Sequence, residues 1–419
     1  MSKPSSEFSN REQQTILEAA LESLESGDFQ ERWEAAKAIA QLGEFAINPL
    51  VQHLTDDGLD PEARWFMVRI LGQLNSAHLE TVVLALVGVL QTIKVDETAE
   101  EAAVREMAAI ALANLGQPAI AVLVPLLETP KLRGLTTQAL AQMRHPETIG
   151  PLLQVVADPD PGVRAIALEA LGNFQHPEIP AVLIQGLQDS SAPVRKEAVT
   201  ALGLRSELET SLQLTAIIQP LLWDVQADVV QQAQIALSRY KTPTAARALF
   251  EQLSSHFVPL PIKLGAIRAL GWFETGEALE YLEQFLSSLG SSASTLSIEG
   301  QILLGRETIQ VIGRTGEPDL QIQAVAVLIS LLDSKAPVLD FPQIKQQIAW
   351  GLGHLGHAKA LEPLFYLLAE PHTGIRLHCI TALKQLATPQ TYEYLQEFAR
   401  QQNLTPGLQQ GISLALAEW

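Results

Sequence analysis

Asp160-Pro-Gly-Val-Arg164-Ala-Ile-Ala167-Leu-Glu-Ala170-Leu171-Gly172 is the stretch on which the fold turns. An aspartate followed by proline is a helix-start signal: the carboxylate caps the first free amides, and proline fits the first turn. A basic residue comes next, then small residues three and six positions on, then Leu-Gly. The phrase returns as Ala192-Pro-Val-Arg195-Lys-Glu-Ala198-Val-Thr-Ala201-Leu202-Gly203, with Arg195 lying 31 positions after Arg164. A period of this size marks a stack of supersecondary units rather than one globular core.

Working outward, Arg32, Arg64, Arg105, Arg133, Lys263, Lys345 and Arg376 open further copies, while Val230 and Gly305 head two copies without the basic residue. A decayed copy runs from Gln409. The total is about a dozen units, well above the roughly three that a stack needs. Apolar residues at +3, +6, +7 and +10 from the basic position share one face at about 100° per residue, which predicts an amphipathic helix A. A second apolar stretch follows in most copies, such as Ile149-Gly-Pro-Leu-Leu-Gln-Val-Val, and predicts helix B. Breakers such as Asp158-Pro-Asp-Pro161 separate B from the next A. The expected fold is all-α, an α-solenoid of antiparallel helix pairs. The column of basic residues sits at the flank that meets a neighbouring repeat. There it can bond an aspartate or a carbonyl of the adjoining turn and form a ladder along the stack, a structural role.

Three intervals exceed the common period. Their extra residues include Asp96-Glu97-Thr-Ala-Glu100-Glu101, the Ser/Gly-rich stretch from Ser287 to Ser297, and Ser334 to Pro342. Insertions in such arrays map to loops. The expected organisation is an amino-terminal capping helix over 1–31, a first block of repeats over 32–286, and a second over 287–419, within one continuous solenoid.

The formal charge of −19 argues against phosphate-backbone binding, and no basic run offsets it. The longest apolar stretch, Val82 to Leu90, is too short to span a bilayer. The opening Met1-Ser-Lys-Pro-Ser-Ser-Glu lacks the apolar centre of a signal peptide, and a single cysteine suits a reducing interior, so a cytoplasmic location is expected.

Signals for chemistry are sparse, and no catalytic residue is nominated. His145-Pro-Glu147 and His176-Pro-Glu178 place His near Glu, but the proline between them reads as the first turn of helix B. His354 and His357, followed by His372 and His378, are weak metal candidates; capping and solvated roles compete with that reading. Cys379 occupies the +3 column, where other copies have Ala108, Ala167 or Ala198, and reads as a small core residue. One feature stands out. The +1 position lies nearly opposite the apolar face of helix A, and most copies put a small or polar residue there. The first two place Trp33 and Trp65 there, one repeat apart. They form either an exposed partner-binding patch or a pair covered by the amino-terminal helix around Ile16, Leu17 and Leu21.

Arg64-Trp-Phe-Met-Val-Arg-Ile-Leu-Gly72 and Asp160 to Gly172 resemble the HEAT-like repeats named after phycobilisome lyases, a resemblance that runs from about Arg32 onward. Arg32-Trp-Glu-Ala35-Ala36 is similar to an early motif of the E/F-type bilin lyases, although Lys37-Ala38-Ile39-Ala40 departs from the aromatic that usually follows there. Two functions follow from the resemblance. One is a non-enzymatic adaptor or assembly factor of cyanobacterial type. Its partner proteins would be a phycobiliprotein, a photosynthetic complex or an iron–sulfur carrier, and it would need no cofactor. The other is a bilin lyase or lyase subunit, with an open-chain tetrapyrrole as its ligand.

Overall fold

The computed structural model describes residues 10–56, 58–74, 78–93, 96–290, 296–334, 336–386, 389–401 and 404–419. Among them the regular structure is helical and contains no strand. Contacts divide the chain into two compact units, Met1–Ala201 and Leu202–Trp419.

The first unit opens with α1 (Asn10–Ser26), α2 (Phe29–Leu42), α3 (Ile47–Leu54), α4 (Pro61–Leu71), α5 (Leu79–Gln91) and α6 (Ala99–Leu115). Their starts follow the sequence. Asp28 and Glu31 close a reciprocal capping box on α2, Asp60 accepts the Ala63 amide ahead of Pro61 on α4, and Thr98 with Glu101 caps α6. The acidic stretch 96–101 therefore acts as a helix start, and Glu97 pairs with Arg105. Helix A of each repeat packs on helix A of the next: α2 on α4, α4 on α6, α6 on Pro130–Met143, and that helix on Pro161–Gly172.

The Ala-Leu-Gly ending explains how closely these helices approach. A methyl group placed on Gly172 would lie 2.9 Å from Ala201 Cβ, and one on Gly72 would lie 2.5 Å from Ala111 Cβ. In both cases the closing glycine meets the +6 residue of the next repeat, so that column holds small side chains. The same contact recurs in the second unit between Gly203 and Ala236 and between Gly353 and Ala382.

The basic column forms the expected ladder. Arg133 Nη1 donates to Asp158 Oδ2 at 2.7 Å, and Arg164 donates through Nε and Nη2 to Asp189 at 2.8 and 2.7 Å. Each carboxylate lies six positions ahead of the next repeat's arginine, and that arginine takes the same residue's carbonyl. Arg164 Nη1 donates to Asp158 O at 2.7 Å, and Arg195 Nη1 to Asp189 O at 2.8 Å. Lys345 and Glu370 repeat the pairing in the second unit at 2.6 Å.

Helix B is shorter than its apolar run. Ile149–Gln154 spans six residues, and Gln117–Leu123 passes into a 3-10 turn over Val124–Glu128. Pro125 lacks an amide, so the i→i−4 ladder cannot continue through it. In the second unit, Leu260–Gly271 packs on Ile298–Gly313, and Gly276–Ser288 on Pro318–Asp333. Packing thus continues across position 287, where the sequence suggests a block boundary. Within the Ser/Gly-rich stretch, residues 291–295 fall outside the described ones. The stretch 334–342 contributes a 3-10 turn, Pro337–Asp340, with Val338 buried.

Candidate partner-binding site

Because α2 and α4 pack as neighbouring A helices, their +1 residues come together. Trp33 and Trp65 are both half-buried, which is neither of the two extremes the sequence allows. They flank a shared ring cluster. Trp33 stacks with Phe29, centroids 6.2 Å apart, and meets Phe66 edge-on at 6.3 Å; Trp65 meets Phe66 edge-on at 5.2 Å. Phe66 is fully buried beneath them, whereas Phe29 is 59% exposed. Helix α1 packs on α2 through Leu17, Leu21 and Leu24, yet the ring contacts of both indoles run to α2 and α4.

Two cations complete the cluster. Lys37 and Arg69 both stand four residues after their tryptophan, one helical turn on and on the same face. Lys37 Nζ is 5.9 Å from the Trp33 ring centre and also pairs with Glu34 at 2.9 Å. Arg69 does more. Its guanidinium carbon lies 5.6 Å from the Trp65 ring centre and 4.3 Å from that of Trp33 on the adjacent repeat. Ring quadrupoles attract the cation, so Arg69 ties the two repeats together at the surface. No carboxylate among the described residues pairs with it. A guanidinium stacked on rings keeps its in-plane N–H donors free for a carboxylate. The sequence signal for Arg69 was a Trp-x-x-x-cation spacing repeated in consecutive units.

The remaining candidates occupy other roles. His354 stacks on Trp350 with centroids 5.2 Å apart, and His357 Nδ1 accepts the Lys359 amide at 3.2 Å as a turn cap. His372 caps Gly374 in the same way at 3.1 Å, and His378 Nδ1 lies 2.8 Å from Gly374 O. Among the described residues, no three His, Cys, Asp or Glu side chains converge as a metal site. His145 and His176 likewise cap the amides of Glu147 and Glu178. Cys379 is fully buried, and burial pushes its thiol up to about 12. A groove of about 570 Å³ is lined by Leu54, Arg64, Leu84, Gly88 and Arg105, and neither tryptophan enters it. Among the described residues, no helix is long and apolar enough to cross a membrane.

Residues 123–203, 149–238 and 337–406 match the family model of HEAT repeats, and residues 104–129 match that of the PBS lyase HEAT-like repeat. No curated protein matches the sequence significantly. Among solved structures, yeast importin-β (Kap95p) is 14% identical, the match covering 97% of this chain and 61% of that one at a TM-score of 0.60. The Kap95:Nup1 complex matches with the same identity and coverage at 0.62. Kap121p bound to Pho4p matches at 14% identity, covering 97% and 49% of the two chains, at 0.57. The chain spans about three-fifths of the importin-β length, and at these identities the likeness is one of fold. The molecule is an α-solenoid in which residues 123–238 and 337–406 match HEAT repeats.

Proposed function

We propose that this chain is a protein-binding scaffold whose cluster of Phe29, Trp33, Trp65 and Arg69 holds an acidic, apolar element of a partner protein. The observation that carries the reading is Arg69, stacked over two indoles from consecutive repeats with no carboxylate partner among the described residues. Tryptophan and arginine dominate binding hot spots because they combine large contact area with directed donors. An open aromatic surface, rather than an enclosed pocket, suits a macromolecular partner. The Kap95:Nup1 complex and Kap121p bound to Pho4p are likewise solenoids holding other proteins. The PBS lyase HEAT-like match at 104–129 is in keeping with the cyanobacterial setting we propose; in that reading the partner is a phycobiliprotein, a photosynthetic complex or an iron–sulfur carrier, met in the cytoplasm.

The test compares pull-downs from cyanobacterial extract using wild type, Arg69→Gln, and the double variant Trp33→Ala/Trp65→Ala. The scaffold reading expects the captured partner to be lost in both variants, each weakened by about 2 kcal/mol. Undiminished capture by Arg69→Gln would remove the cluster from the interface. A bilin-binding reading has one observation in its favour: conjugated rings stack on indoles, and a propionate suits Arg69. It expects an open-chain tetrapyrrole to change its absorbance on mixing with wild type, and not with the double variant.

A further inference from the structure

Arg64 stands in the basic column, yet the ladder passes it by. Arg133, Arg164 and Lys345 each meet a carboxylate 25 residues on, whereas the place 25 residues after Arg64 is held by Val89. The acidic residue that precedes the next helix A, Glu97, is taken through both oxygens by Nε and Nη2 of its own repeat's Arg105. Arg164 offers Asp189 that same edge of the guanidinium. In Arg64 the edge is only half used: Nη2 donates to Asp56 O, and Nε, buried, meets no acceptor. No carboxylate among the described residues pairs with it.

Arg64 lines the groove of about 570 Å³ that lies among α3, α4, α5 and α6, where Val51, Leu54, Leu59, Leu84, Val89 and Val104 form apolar wall. That volume falls within the roughly 300–1,000 Å³ of small-molecule sites, which combine mostly apolar walls with a few polar groups. Leu84 is 56% exposed there. Gly88 lies within α5, where glycine weakens a helix. A methyl group on it would meet nothing within 4 Å, so packing does not call for the glycine. Its missing side chain leaves the groove open.

The other polar groups of the lining are engaged. The Thr55 and Thr92 hydroxyls donate to Gln52 O and Gly88 O, Glu97 holds Arg105, and Glu101 accepts the Thr98 amide. Of the carboxylates on the adjoining loop, Asp56 accepts the Gly58 amide and Asp60 pairs with Arg32. The formal charge of −19 is spread over the whole chain, and salt screens charges beyond about 10 Å, so the local cation governs what enters. An extended peptide would bring a carbonyl at every residue to a wall whose hydroxyl protons are already spent. A ligand with its charge at one end and hydrocarbon beyond it fits better. We propose that the groove is a small-molecule site for an amphiphilic monocarboxylate, its head on Arg64 and its body along the apolar wall, as in a free fatty acid. The site stands apart from the tryptophan cluster, and neither depends on the other.

The experiment titrates the full chain with dodecanoate, below its micellar concentration, by isothermal titration calorimetry. Saturable binding of a single molecule per chain is expected, with dodecan-1-ol about tenfold weaker because it lacks the charged head. Arg64→Gln weakens dodecanoate by about tenfold and leaves dodecan-1-ol unchanged, a split that general structural damage would not produce. Gly88→Phe fills the groove and abolishes binding of both. Its melting temperature is no lower than wild type, because the position is open and glycine is the poorer helix former. Arg69→Gln binds dodecanoate as wild type does, which separates this site from the proposed protein interface. Three outcomes overturn the inference: no saturable binding, dodecan-1-ol bound as tightly as dodecanoate, or undiminished dodecanoate binding by either groove variant. Dodecyl phosphate bound far more tightly than dodecanoate, and lost in Arg64→Gln, would assign the head to a phosphate and overturn the carboxylate.

Discussion

Replacing Asp189 with alanine removes an acceptor that two repeats share. In the folded chain its carboxylate takes Nε and Nη2 of Arg164 at 2.8 and 2.7 Å and the Ser191 amide at 2.8 Å. The two side chains are 14% and 16% exposed, so the pair is largely desolvated but still reached by water. Each lost bond is worth about 1 kcal/mol net, and the stranded guanidinium recovers part of that from solvent. The expected loss is therefore about 2–3 kcal/mol, above the roughly 0–1 kcal/mol of a surface pair and below the about 3–5 kcal/mol of breaking a fully buried one. Urea unfolding of wild type, Asp189→Ala, Arg164→Met and the double variant gives the coupling energy, expected near about 1.5 kcal/mol. Acid should erase the difference. Hydrogen bonding from Arg164 and then the Ser191 amide hold the Asp189 carboxyl below its usual range. A lowered folded pKa means a contribution fully present above the unfolded value of about 3.9, and lost as pH falls through the folded one. A coupling under about 0.5 kcal/mol, or a gap between wild type and Asp189→Ala that persists unchanged below about pH 2, would refute the ladder as a source of stability.

Gly172→Val drives a branched side chain against Ala201 and should lower stability by about 1–3 kcal/mol, read from the urea midpoint; an unchanged midpoint would show that the helices can separate at no cost. Cys379 should resist thiol reagents at mildly alkaline pH until the chain is denatured, because burial pushes its thiol up to about 12; rapid labelling of the native protein would contradict this. Deleting one whole period, Arg164 through Val194, should leave a helical protein by circular dichroism, and complete loss of helix would refute the register.

The repeat frame was legible because its signals are local: an N-cap, a proline, a 3.6-residue periodicity and a closing Leu-Gly. The small +6 residues were legible as a column, though their partner, the glycine of the preceding repeat, appears only once helices are stacked. The tryptophans illustrate the limit. A helical wheel places +1 away from its own repeat's core, but it contains no neighbouring helix, and it is Phe66 and Arg69 of the next repeat that half-bury Trp33. Lys37 and Arg69 could have been found by extending the same column to +5. Gln234 offered a signal of another kind, a polar residue in the +4 column where Leu168 and Val199 stand, and its amide partners lie in other helices. The short B helices were obscured because an apolar run does not reveal where Pro125 withdraws a donor.

The ladder also bears on how such a chain can lengthen. The 31-residue periods that end at Arg164 and Arg195 each contain both an arginine and, six positions before it, the carboxylate that receives the preceding arginine. A tandem duplication of one period therefore copies a plug and a socket together, and the inserted unit matches its neighbours on either side from the first generation. Point changes enjoy no such protection, since the two halves of a pair lie 25 residues apart and mutate separately.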